Sequence, residues 1–184
     1  MGFWLAILTV FYLVLPAYFA NMAPVIFGKL GWFKSLAVPI DQGKKIGGDY
    51  IFGSGKTWRG IVSAVILGMI IAAIQAWLYH YDIFRNISLL NYPDKFIIFG
   101  ALAGLGAILG DLLKSFLKRR VGIKSGKSWP VFDQVDFIFG FFIFTYWLFY
   151  PSGKVIGMVF ILTLILHPLT NLAAYFLKIK KVWW

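Results

Sequence analysis

Apolar residues run almost unbroken in five stretches of the chain. They span roughly 3–27, 60–79, 96–118, from just after Pro130 to about Tyr150, and 155–177. A helix needs about 20 residues to cross the hydrocarbon core of a bilayer, so each stretch is read as a membrane span. The pattern predicts an all-α integral membrane protein with about five transmembrane helices, organised as a single domain over residues 1–184. The first stretch is too long for a signal peptide and has no basic residue before it. Pro16, Asn21 and Pro24 interrupt it. It reads either as a kinked anchor helix or as the lining of a cleft with the Asn21 amide pointing inward. In the third stretch, Gly100 and Gly104, and again Gly106 and Gly110, place small residues four apart, which lets helices approach closely in lipid. Pro130 suits the first turn of the fourth helix. The fifth contains His167, Pro168 and Asn171, and His167 is expected to be a packed or hydrogen-bonded imidazole beside a proline kink.

Between the spans lie polar segments of unequal character. Residues 29–59 carry six Lys and Arg, 114–131 carry six, and the tail from Lys178 carries three; only Arg85, Lys95 and Lys154 fall on the other side. Fifteen cations against three place the two basic loops in the cytoplasm and the N-terminus outside. Residues 81–95 read as a solvated connection. The basic and aromatic tail, Lys178 to Trp184, reads as an interfacial anchor. No internal repeat is visible.

Composition narrows the class. The chain is 60% hydrophobic and 14% charged, whereas a soluble domain is about 45–50% apolar and about 25% charged. A net charge of +11 could suit nucleic acid, but basic loops against anionic headgroups or nucleotide phosphates explain it better, so no nucleic-acid partner is expected. The absence of cysteine excludes disulfides, thiolate catalysis and Cys-ligated metals.

Chemistry concentrates between Gly110 and Asp136. Three carboxylates (Asp111, Asp133, Asp136) and six cations (Lys114, Lys118, Arg119, Arg120, Lys124, Lys127) fall within these 27 residues. Charge held between two membrane segments is costly and marks a functional site. Asp111, Ser115 and Lys118 are spaced i, i+4, i+7 and share one helix face. A short connection makes the inner ends of the third and fourth helices neighbours, so the three Asp should lie at similar depth near the cytoplasmic boundary. Converging carboxylates ringed by cations suit Mg²⁺ and phosphate, with Asp133 and Asp136 the leading metal ligands and Asp111 the third. Gly53 to Thr57 is not a Walker A loop, because Tyr50 stands where that motif needs glycine. It still offers glycine amides, Lys56, Thr57 and Arg59 to an anion just before a helix N-terminus. Simpler roles exist: Asp133 against the helix dipole, Asp136 paired with Lys114 or Lys118, Arg119 and Arg120 as topology determinants. The whole-protein alternatives are a cation-coupled transporter and a non-catalytic binder of anionic lipid.

Gly110-Asp111-x-x-x-Ser115-x-x-Lys118-Arg119-x-x-x-x-Lys124, followed by Asp133-x-x-Asp136, resembles the signature of the membrane CDP-diacylglycerol synthases. The Pro-Gly-His-Gly-Gly run of the bacterial and eukaryotic members is replaced by Ser128-Trp-Pro-Val-Phe, and Ser125 follows Lys124 in place of their Asp. These departures, with the stretches 15–24, 52–60 and 128–136, are similar to the archaeal branch, the CDP-archaeol synthases. The resemblance implies transfer of CMP from CTP to an isoprenoid glycerol phosphate lipid, with Mg²⁺, at the cytoplasmic face of the cell membrane. It implies that Asp111, Asp133, Asp136 and Lys118 are catalytic. Arg119 and Lys124 would grip nucleotide phosphates, and Lys56, Thr57 and Arg59 would bind triphosphate or lipid phosphate. Ser115 and Asn21 would complete the substrate cleft.

Overall fold

A computed structural model describes residues 2–176 and 178. Five helices are long and apolar enough to cross a membrane: α1 (Phe3–Leu30), α2 (Trp58–Leu78), α4 (Tyr92–Arg120), α5 (Phe132–Phe149) and α6 (Gly153–Phe176). A short helix, α3 (Asp82–Asn86), lies in the connection read as irregular from the sequence. The last residue of the expected fifth span, 177, and most of the expected tail anchor, 179–184, lie outside the described residues.

α4 is the central helix, and glycine is the reason. Gly100 and Gly104 face α2. A Cβ on Gly100 would stand 2.6 Å from Met69 Cα, and one on Gly104 would meet the Ala64 carbonyl. Gly106 and Gly110 face α5, where added Cβ atoms would strike the carbonyls of Gly140 and Asp136. The two small-residue pairs thus serve two different neighbours, because six residues separate the pairs and rotate them to different faces.

α1 runs as one helix through Pro16 and Pro24. Pro16 has no amide hydrogen, so the Tyr12 carbonyl loses its helical partner. Gln75 of α2, itself buried, donates from Nε2 to that carbonyl at 2.5 Å. Val10, Leu13, Val14, Ala17 and Ala20 pack into the core, and Tyr18 of α1 hydrogen-bonds Thr163 of α6 at 2.8 Å.

Three boundaries differ from the sequence expectation. α4 starts at Tyr92, not near Phe96, because Pro93 fits its first turn. It continues to Arg120 with Lys118, Arg119 and Arg120 against the negative end of the helix dipole. α5 starts at Phe132, two residues after Pro130, because Val131 adopts φ +69° and breaks helical continuity.

The segment between α1 and α2 is more structured than a basic loop. It holds a 3₁₀ turn (Lys34–Leu36) and a hairpin, β1 (Lys45–Ile46) antiparallel to β2 (Asp49–Tyr50), with Lys45 opposite Tyr50. Strands this short leave the all-α class intact. The buried Asp41 carboxylate organises the segment by accepting the amides of Gly43, Phe52 and Gly53 at 3.0–3.1 Å. Burial pushes its pKa up, but these amides outweigh that and hold the carboxyl below the usual aspartate value. The segment ends where Val38 and Ile40 pair with Trp58 and Lys56.

Candidate active site

Both basic loops meet at one end of the bundle. The Arg120 guanidinium donates to the carbonyls of Ile46, Asp49 and Tyr50, tying the hairpin to the end of α4. Gly53, at φ +104°, lies so close to the second loop that a Cβ would sit 3.3 Å from Ser125 Oγ and 3.5 Å from Arg119. Here the backbone conformation favours glycine, and the space for a side chain is tight. Beneath these loops lies a cavity of about 440 Å³.

The three carboxylates line this cavity and converge on one atom. Lys114 Nζ is 3.1 Å from Asp111 Oδ1, 2.9 Å from Asp133 Oδ1 and 2.6 Å from Asp136 Oδ2. Lys56 crosses from the first loop to pair with Asp111. Lys118, buried, reaches Asp133 at 3.2 Å and the Lys127 carbonyl at 2.5 Å. Asp133 also accepts the Trp129 amide, which fixes the start of α5. Asp136 accepts the Phe137 amide through Oδ1. Its buried Oδ2 has no hydrogen-bond donor and relies on the Lys114 ion pair.

The three carboxylates require a cation among them. Three oxygens from three side chains surround one cationic nitrogen, so the position already favours positive charge and offers the oxygen ligands a hard metal takes. With Lys114 in place, no group of three His, Asp or Glu among the described residues stands ready to ligate a metal. The ammonium is the cation that the carboxylates hold.

Most expected residues come together. Asn21, Lys56, Asp111, Ser115, Lys118, Arg119, Asp133 and Asp136 all line the cavity. Of the first span, Asn21, Pro24 and Val25 line the cavity, while Ala17 and Ala20 pack in the core of a continuous helix. Three expected residues stand elsewhere. Thr57 caps α2 by accepting the Gly60 amide and borders a small adjoining pocket instead. Arg59 lies against Gly28 of α1. Lys124 is exposed on the second loop, outside the cavity lining. Asp111 lies nine residues before Arg120, about 14 Å along the helix axis, and level with Asp133 and Asp136 as expected, since all three meet Lys114.

Helical spacing left other groups in the background. Lys114 is three residues from Asp111 and four from Lys118, so it shares their face, yet the sequence alone marked it only as a pairing partner. Lys127, Ser128 and Gln134 also line the cavity. His167 does so too, as a hydrogen-bonded imidazole beside Pro168: its Nδ1 is 3.3 Å from Asn171 Nδ2, and both residues line the cavity from α6.

The fold and this site define a five-span helical membrane protein with a carboxylate- and cation-lined chamber at one end of the bundle. The chain belongs to the CDP-archaeol synthase family, whose CarS-like profile matches residues 3–184. It is 36% identical over 172 residues to the CDP-archaeol synthase of Methanocaldococcus jannaschii, covering 93% of each chain. It is 37% identical over 186 residues to that of Methanopyrus kandleri, covering all of this chain and 96% of the relative. A solved structure of an intramembrane enzyme for archaeal membrane lipids biosynthesis superposes with a TM-score of 0.72. Its sequence is 28% identical, and the match covers 87% of this chain and 90% of that one.

Proposed function

We propose that this chain transfers CMP from CTP to an archaeal ether-lipid phosphate, 2,3-bis-O-geranylgeranylglyceryl phosphate, giving CDP-archaeol and pyrophosphate. The observation that carries this reading is the chamber itself. In a chain of this family, Asp111, Asp133 and Asp136 meet Lys56, Lys114 and Lys118 at one end of a membrane bundle, with Arg119 beside them.

An oxygen of the lipid phosphate attacks the α-phosphorus of CTP. The new P–O bond forms as the bond from that phosphorus to the bridging oxygen breaks, and pyrophosphate leaves with the electron pair. The attacking phosphate is already ionised at neutral pH, so the protein need not supply a strong base. Its task is positioning and charge stabilisation. Lys56, Lys118 and Arg119 hold phosphate oxygens. Arg119 keeps a buried Nε with no hydrogen-bond partner, a donor available to a ligand. Asn21 and Ser115 shape the chamber wall. Asp111, Asp133 and Asp136 would hold Mg²⁺, which when bound offsets the charge of the triphosphate and polarises its phosphoryl oxygens. The lipid head reaches the chamber sideways between helices, and CTP enters from the cytoplasm, where the basic loops face. A transporter reading predicts inverted repeats, and none is visible in the sequence.

The test uses purified protein in detergent with labelled CTP, Mg²⁺ and the geranylgeranyl lipid phosphate. A labelled lipid that forms only with Mg²⁺ and is lost with EDTA is the expected result. Asp133→Asn keeps an oxygen for the Trp129 amide, so the variant should fold yet lose turnover. Near-native activity in that variant would remove Asp133 from the site.

A further inference from the structure

A second cavity, about 450 Å³, opens between α4 and α5 and shares a wall with the chamber. Its lining is apolar except for Lys114 and Asp136, the two residues it has in common with the chamber. Its floor is Gly110 and Gly140, where the two helices touch and no side chain intervenes. Its rims are Leu113 on α4 and Phe139 and Ile143 on α5, all more than half exposed. Trp129 and Phe132, stacked with ring centroids 4.3 Å apart, close its polar end.

Two features identify the occupant. The first is length. From Phe132 to Ile143 is eleven residues of α5, about 16 Å at 1.5 Å per residue. Half of a 30 Å hydrocarbon core is about 15 Å, so the groove runs the depth of one leaflet, starting at its polar boundary. The second is continuity. The groove shares Lys114 and Asp136 with the chamber, so a chain lying in it has its head at the chamber, beside Lys118 and Arg119. A hydrocarbon chain carrying a phosphate matches both ends.

We infer that this groove seats one isoprenoid chain of the lipid phosphate, and that the head enters the chamber past the Lys114–Asp136 ion pair. The inference rests on the reaction proposed above and adds where the lipid binds. Lipid tails are as apolar as the groove, so transfer from bilayer to groove yields little hydrophobic gain. The groove acts by fixing the chain and thereby aiming the phosphate at the chamber.

Leu113→Trp and Ile143→Trp fill the groove from its rims, outside the chamber lining; Ile74→Trp, exposed on α2, is the control. Both groove variants should raise KM for the geranylgeranyl substrate about tenfold, the cost of overpacking a formed site. KM for CTP, and for a glycerol phosphate with short alkyl ethers, should change less than about twofold. An equal rise for short and long lipids, or no rise, overturns the assignment. Photolabelling decides the groove independently of turnover. A lipid phosphate with a diazirine at the chain end should mark Ile143 or Phe144, at the end of the groove away from Trp129 and Phe132. Labels confined to α1, α2 or α6 overturn the inference even if the enzyme is active. Absence of any cytidylyl transfer by the wild type, with groove labels present, removes the reaction and leaves the lipid seat.

Discussion

The Lys114 ammonium touches three carboxylates at once, within 3.1 Å of each. Three mutually repelling anions so close together need a cation among them, and the chain supplies one from the next turn of α4. Removing one partner of a buried ionic cluster costs about 3–5 kcal/mol, because the others lose their compensation. Lys114→Met should therefore lower the melting temperature in EDTA. If the three carboxylates can hold a divalent ion, Mg²⁺ should restore part of that loss, and its stabilising effect should exceed that seen in the wild type. Thermal unfolding in detergent, with and without Mg²⁺, measures both. A variant destabilised in EDTA but indifferent to Mg²⁺ would show that these carboxylates serve the ion pair alone.

At the scale of elements, the same substitution should have opposite signs on two helices. Gly140 of α5 lies against α4, where a Cβ would strike the Gly106 carbonyl. Gly157 of α6 has open space around it. Gly140→Ala must force α4 and α5 apart, and overpacking of this kind costs about 1–3 kcal/mol. Gly157→Ala should instead stabilise by about 0.5–1 kcal/mol, the helix preference of alanine over glycine. Denaturant unfolding in detergent measures both, and a neutral Gly140→Ala would mean that the α4–α5 contact is looser than described. These elements were legible in the sequence because hydropathy and small-residue spacing are local signals. Helix ends were less so. The start of α5 depends on the positive φ of Val131, and no residue preference announces that in a β-branched side chain. The hairpin at Lys45–Tyr50 escaped notice because its order comes from Asp41 and Arg120, through bonds that span up to 74 residues.

For the molecule as a whole, the three carboxylates that line the chamber were legible because they cluster in one stretch, and Lys56 through its place in the other basic loop. The sequence placed Arg59, Thr57 and Lys124 less well. Which of several neighbouring cations turns inward is decided by tertiary packing, as Arg59 against Gly28 illustrates. The two basic loops and the chamber share one end of the bundle, while Lys95 binds the Leu148 carbonyl between the opposite ends of α4 and α5. The positive-inside rule assigns a cation-rich end to the cytoplasm, and we propose that orientation for the chamber. The chain contains no cysteine, so single cysteines report their own side of the membrane without background. Ser54, in the first basic loop, and Ser152, between α5 and α6, are both exposed. In intact cells, a membrane-impermeant maleimide should label Ser152→Cys. It should reach Ser54→Cys only after permeabilisation. The reverse pattern would put the chamber outside, where no CTP is supplied. It would then sink the proposed orientation and the route of nucleotide entry together, while leaving the fold and the chamber geometry as they stand.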